Sequence, residues 1–205
     1  AKAIIHQAYT KEDADSLIHD ISQEQNVIVE NESIFKPKYR FILKLAFLIA
    51  FFNQFSGINA FLYYAPRIFE EGGLVESMAL LSSIGIGLIN LVFTLIGINL
   101  IDRLGRKTLM YIGSVGYIIS LSLIAASFLL SWEGLALPIF LFVFIASHAI
   151  GQGAVIWVFI SEIYPNHLRS AGQSFGTSTH WVLAAIIPSL VPILFASIGA
   201  GVVFA

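Results

Sequence analysis

Five long apolar runs follow a polar stretch of 40 residues. They cover Phe41 to about Ala65, Met78 to Ile101, Leu109 to Leu130, about Leu135 to Ile160, and about Phe175 to Ala196. A helix needs about 20 residues to cross a hydrocarbon core, and each run supplies them. Lipid offers the backbone no partner but itself, so the runs predict helices. Barrel strands alternate in polarity over about 10 residues, and these continuous runs do not. The predicted class is therefore an all-α membrane bundle over 41–205, preceded by an arm, 1–40, with short helices. Gly199–Ala205 is expected to begin a further span. The chain opens at Ala1 without the basic flank and apolar run of a signal peptide, and a fragment is expected.

The arm has its own pattern. Thr10-Lys11-Glu12-Asp13 resembles a capping box, with an acid three residues after the N-cap, and Leu17, Ile18 and Ile21 follow at helical spacing. Asn31-Glu32-Ser33 matches a glycosylation sequon by chance, because the arm is placed in the cytoplasm.

Charge fixes that orientation. Of 205 residues only 12% are charged, against about 25% in a soluble domain. With the arm inside, ten of the eleven lysines and arginines lie on the cytoplasmic side, Arg67 being the exception. The outer loops carry Glu70, Glu71, Glu76 and Glu133 instead. A net charge of -2 gives no basic surface for nucleic acid. There is no cysteine, so no disulfide or thiolate metal site, and five scattered histidines show no metal-ligand spacing.

Several runs are interrupted. Gln54, Ser56 and Asn59 surround Gly57 in mid-membrane, and Pro138, Pro188 and Pro192 each remove a helical donor. Breaks of this kind are tolerated where they line a cavity, and in transporters they mark the substrate path. No charged residue lies in the middle of any run, which points away from a charged substrate and from a membrane enzyme. Gly172-Gln173-Ser174-Phe175-Gly176 has the spacing of a hydrolase nucleophile elbow, but it opens a membrane helix; Gly172 and Gly176 are expected to form a small-residue packing face. Gly85, Gly87, Gly113 and Gly116 are read in the same way. Asn90 and Thr94 suit interhelical bonds, His148 suits a hydrogen bond to a neighbouring helix, with a proton relay as the alternative, and Trp132 suits the outer aromatic belt.

Two charged loops close the cytoplasmic side. Asp102-Arg103-Leu104-Gly105-Arg106-Lys107 makes a tight hairpin. Glu162 ends the fourth run, where a carboxylate opposes the helix macrodipole and needs a cation. Arg103, Arg106 or Arg169 could supply it.

In order and spacing, Asn53-Gln54-Phe55-Ser56-Gly57-Ile58-Asn59 with Tyr63-Tyr64, then Asp102–Lys107, then Trp157-Val158-Phe159-Ile160-Ser161-Glu162-Ile163-Tyr164-Pro165 with Arg169, resemble the sugar porters of the major facilitator superfamily. The resemblance is to their C-terminal half, helices seven to eleven and the start of twelve. It implies sugar binding by Asn53, Gln54, Asn59, Trp157, His180 and Trp181, an extracellular gate at Tyr63 and Tyr64, and a cytoplasmic latch of Asp102, Arg103, Arg106, Glu162 and Arg169. Two positions depart from the family's pattern. Asn53 stands for a glutamine, one methylene longer, and His180 stands for an amide. The residue types suit a pyranose: amides both donate to and accept from hydroxyls, and indoles cover C–H faces.

The resemblance implies transport of a hexose or pentose by alternating access in a bacterial inner membrane, with no enzyme activity and no cofactor. The implied partners are the sugar, the bilayer, a co-transported proton and an N-terminal six-helix half. The compact loops favour proton symport. A passive facilitator and a transporter-like sugar sensor are the alternatives.

Overall fold

The computed structural model describes residues 10–26, 32–132 and 134–203. The chain divides into two compact units, Ala1–Ser33 and Ile34–Ala205. In the first, α1 (Lys11–Asn26) begins at Thr10, whose hydroxyl accepts the Asp13 backbone N–H at 3.4 Å and donates to the Asp13 carboxylate. The side chain of Ile21, the sequon residue Asn31 and the outer-loop Glu133 lie outside the described residues.

The second unit is all helix. A 3-10 turn (Pro37–Tyr39) leads into α2 (Arg40–Phe55), followed by α3 (Ile58–Glu71), α4 (Glu76–Leu104) and α5 (Arg106–Leu129). Then come α6 (Ala136–His148), a π-helical turn (Ala149–Gly153) and α7 (Ala154–Glu162). A 3-10 turn (Asn166–Leu168) opens α8 (Arg169–Ile198), and a short α9 (Ala200–Val203) follows. Phe204 and Ala205, in the stretch expected to begin a further span, lie outside the described residues. Five helical stretches are long and apolar enough to cross a membrane: Pro37–Glu71, Glu76–Leu104, Arg106–Leu129, Ala136–Glu162 and Asn166–Ile198. Each outruns its apolar run because polar and charged residues continue the helix into the interface.

The fourth span is the centre of the bundle. Half of its apolar window is buried, against 17% in the second span, whose Leu- and Ile-rich surface is largely exposed. Hydroxyls inside the spans are satisfied locally: Ser83, Ser120, Ser122, Ser127, Ser174, Thr179 and Ser189 each donate to the carbonyl four residues back. Glycine permits the closest approach. A Cβ on Gly113 of α5 would lie 2.6 Å from the Gly151 Cα and 2.8 Å from the Ser147 carbonyl, so only glycine lets α5 seat against the π turn. Gly116 and Gly85 also sit against neighbouring helices, whereas Gly87 faces open space.

The prolines act differently from the sequence expectation. Pro138 is the third residue of α6, where the N–H would have no intrahelical partner anyway. Pro188 and Pro192 lie inside α8, which continues through both. The kinked helix is α3, where Tyr64 leaves helical geometry (φ -111°, ψ 17°) two residues before Pro66.

Among the described residues apolar packing forms three clusters, the smallest of them around Ile101, Leu109 and Val155. A second, around Phe61, Ile68, Phe69, Leu141 and Phe144, joins α3 to α6. The third, around Tyr39, Ala46, Ile156, Ile160, Tyr164 and Leu168, lies toward the opposite end. Here the Tyr39 hydroxyl lies 3.3 Å from Nε2 of His167.

Candidate substrate site

Between the Phe61 and Tyr39 clusters the first span breaks. Gly57 takes a left-handed conformation (φ +82°) that ends α2. The exposed carbonyls are met locally: the Ser56 hydroxyl donates to the Asn53 carbonyl at 2.6 Å, and the Gly57 N–H donates to the Gln54 carbonyl at 3.0 Å. Asn53 and Gln54 thus sit on the last turn before the break and Asn59 on the first turn after it.

Two sequence stripes bring partners to them. On α2, Ala46, Ala50 and Asn53 share the buried face, and the alanines let it lie close along α8. On α8, Gly172, Gly176, His180, Ala184 and Pro188 recur every fourth residue on the buried face. Gly172 receives the Tyr164 ring, Gly176 receives Ile160, and His180 is left facing α2 and α7.

The result is one connected cluster. The Gln54 amide nitrogen lies 2.8 Å from Nε2 and 3.1 Å from Nδ1 of His180. Oε1 of the Gln54 side chain accepts from the Asn59 amide at 2.8 Å. Asn53 Oδ1 accepts from Gln54 at 3.4 Å, and its amide nitrogen lies 3.3 Å from Nε2 of His148. The Trp157 ring meets His180 edge-on, with centroids 4.6 Å apart. Asn53, Gln54, His148 and His180 are each at most 9% exposed. Among the described residues no group of three or more metal-binding side chains forms. The cluster therefore holds amides, imidazoles and an indole, all suited to neutral hydrogen-bonding ligands.

Five of the six residues expected at the site converge in this way. Trp181 does not: it is 59% exposed, and its contact with the cluster is a T-shaped one with the adjacent His180 ring, at a centroid distance of 5.4 Å. One step along α8 turns it about 100° from the buried stripe. His148 joins the cluster through the kind of interhelical hydrogen bond expected of it, to Asn53. In an unbroken α-helix, His148 and Trp157 would be about two and a half turns apart, on opposite faces. The π turn at Ala149–Gly153 advances less per residue, and rotates both toward α2 and α8.

Tyr63, one expected gate residue, is exposed on α3, while Tyr64 is half-buried at the kink and packs on the Phe61–Phe144 cluster. Of the expected latch, the structure joins one pair. Arg106 Nη2 lies 3.0 Å from Glu162 Oε1. Each charge sits at the helix end whose macrodipole disfavours it, arginine at the N-terminus of α5 and glutamate at the C-terminus of α7, so pairing offsets both. Arg169 donates instead to Asn166 Oδ1 at 2.9 Å and closes its own turn. Asp102 and Arg103 are exposed on the last turn of α4 and form no ion pair among the described residues. Nearby, burial pushes the Tyr164 phenol above its ordinary range, and its hydroxyl has no hydrogen-bond partner among the described residues.

The chain is 36% identical over 172 residues to an arabinose-proton symporter of Bacillus subtilis, an alignment covering 83% of this chain and 37% of that protein. It is 32% identical over 139 residues to a glucose facilitated diffusion protein of Zymomonas mobilis, covering 68% and 29%. Its fold superimposes on the proton:xylose symporter XylE of E. coli bound to 6-bromo-6-deoxy-D-glucose, with a TM-score of 0.78 and 26% identity over 99% of this chain and 44% of that one. The chain thus spans less than half the length of these relatives, consistent with one half of such a protein. The family profile described as "Sugar (and other) transporter" matches residues 1–205. With five membrane-crossing helices, an amide cluster at a helix break and these alignments, the chain belongs to the sugar transporter family of the major facilitator superfamily, a family of multi-pass, non-enzymatic membrane proteins.

Proposed function

We propose that this chain is the C-terminal half of a bacterial inner-membrane transporter that moves a pentose or hexose by alternating access, as a proton symporter. The observation that carries the reading is the convergence of Asn53, Gln54 and Asn59 with His180 and Trp157 at the break in the first span. A pyranose presents a rim of hydroxyls and two C–H faces. The amides meet the rim with donors and acceptors, and the Trp157 ring covers a face. Neutral groups hold the sugar firmly enough to select it and weakly enough to release it.

The break also supplies the motion. The helix beyond Gly57 is a separate piece, with a second bend at Tyr64. In the proposed cycle α3 swings over the bound sugar, and Tyr63 and Tyr64 close the outer path. On the cytoplasmic side the Arg106–Glu162 pair ties α5 to α7 while the protein faces outward, and it parts when the protein opens inward.

Symport is supported by the similarity to arabinose- and xylose-proton symporters. The middles of the spans here contain no carboxylate, and their titratable nitrogen groups are the imidazoles of His148 and His180. The glucose facilitated diffusion protein among the relatives favours a second reading, passive facilitation. The test is uptake of labelled D-xylose, L-arabinose and D-glucose into proteoliposomes by the full-length transporter. Accumulation above equilibrium under an inward proton gradient supports symport. Equilibration alone, unaffected by the gradient, supports facilitation. No uptake of any of them overturns the assignment to these sugars.

A further inference from the structure

We infer that His148 is a positioning residue of the substrate site, which acts through Asn53 and fixes which edge of that amide faces the sugar. The inference rests on the sugar-transport reading and deepens it.

An asparagine amide has two nearly equal faces, one a donor and one an acceptor, and turning it over exchanges them. Asn53 is held against such a turn at both ends. Its Oδ1 accepts from Gln54 at 3.4 Å, and its Nδ2 lies 3.3 Å from Nε2 of His148, which accepts from it when the imidazole carries its proton on Nδ1. Both residues are buried, at 3% and 6% exposure. They come from different spans, 95 positions apart in sequence. Gln54 is itself fixed by His180 and Asn59, so the pattern of donors and acceptors offered to a ligand is set at its far end by His148.

The geometry explains a departure noted in the sequence. Asn53 is one methylene shorter than glutamine and reaches less far. The His148 imidazole is the group that meets it, carried to this face by the π turn that follows it. The ring is also seated against Phe144, at a centroid distance of 6.2 Å, which limits its freedom to swing away. Sugar epimers differ in the direction of single hydroxyls, and a transporter separates them only if its own donors and acceptors stay in place. A fixed Asn53 therefore contributes to selectivity more than to the strength of binding in general.

The test uses the full-length transporter in proteoliposomes with labelled D-xylose, L-arabinose and D-glucose. H148F and H148M fill the space without a hydrogen-bonding nitrogen, and H148Q restores an amide. For the preferred sugar, both apolar variants are expected to raise KM about three- to tenfold, the range of one interhelical hydrogen bond, with a smaller change in maximal rate. The ratio of KM values between sugars is expected to shrink toward one. H148Q is expected to recover the ratio, and N53A/H148F to be no worse than N53A alone. H148M carries the test if H148F does not assemble. An unchanged KM and sugar ratio in a folded apolar variant would overturn the inference. So would effects of N53A and H148F that multiply. Both outcomes are distinct from failure of the underlying reading, in which the wild-type protein itself takes up none of the sugars.

Discussion

The amide nitrogen of Gln54 lies 2.8 Å from Nε2 of His180, a contact that bridges 126 positions of sequence and ties the broken first span to the fifth. Replacing Gln54 by alanine removes a proposed sugar contact and the anchors of both His180 and Asn59. Q54A is expected to raise KM for the preferred sugar by tenfold or more, read from initial uptake rates. Q54A with a wild-type KM would remove Gln54 from the site.

The Arg106–Glu162 pair is between one third and one half exposed, so its strength is modest, below about 1 kcal/mol. That still corresponds to as much as a roughly fivefold change in the balance of outward- and inward-facing forms. E162Q is expected to move the balance inward, and the exchange R106E/E162R to restore part of it. Spin-label distances across the cytoplasmic opening of the full-length protein report both. An unaltered distance distribution in E162Q would show that the pair does not act as a latch.

Gly113 meets the π turn backbone to backbone, and a Cβ there would lie 2.6 Å from Gly151 Cα. No side chain can yield, so the helices must separate. G113A is expected to destabilise the protein by about 1–3 kcal/mol, the usual range for overpacking. Gly87, with nothing within 4 Å, is the control, and G87A is expected to leave the melting temperature unchanged or raise it. Thermal unfolding in detergent followed by tryptophan fluorescence compares the two.

Tyr164 is buried with a hydroxyl that lacks a partner among the described residues. An unsatisfied buried hydroxyl costs roughly 1–3 kcal/mol, so its removal carries no penalty. Y164F is expected to melt at or above the wild-type temperature. A drop of several degrees would mean that the hydroxyl is bonded in the full-length protein.

The amides were legible in the sequence because Asn53, Gln54 and Asn59 crowd a glycine in an otherwise apolar run, a pattern that lipid forbids without a purpose. That His148 bonds to Asn53 was hidden for a geometric reason. The helical period puts it opposite Trp157, and the sequence Ala149–Gly153 carries no unambiguous sign of the π turn that reverses this. Charge placement showed where a latch would sit but not its pairing. Arg103, Arg106 and Arg169 are chemically equivalent donors to Glu162, and only the positions of α5 and α7 select Arg106. Proline was an uneven guide. Pro188 and Pro192 are absorbed within α8, while the kinked helix contains Pro66, which stands near the outer end of its run where a break attracts little notice.

Sugar binding is proposed for the amide cluster at the Gly57 break. It is tested most directly by saturable uptake of labelled D-xylose, L-arabinose and D-glucose in proteoliposomes, comparing the wild-type full-length transporter with Q54A and N59A. Saturable uptake of at least one of these sugars is expected for the wild type, with a KM raised tenfold or more in Q54A and raised measurably in N59A. Wild-type uptake with the same KM in both variants would contradict sugar binding at this cluster.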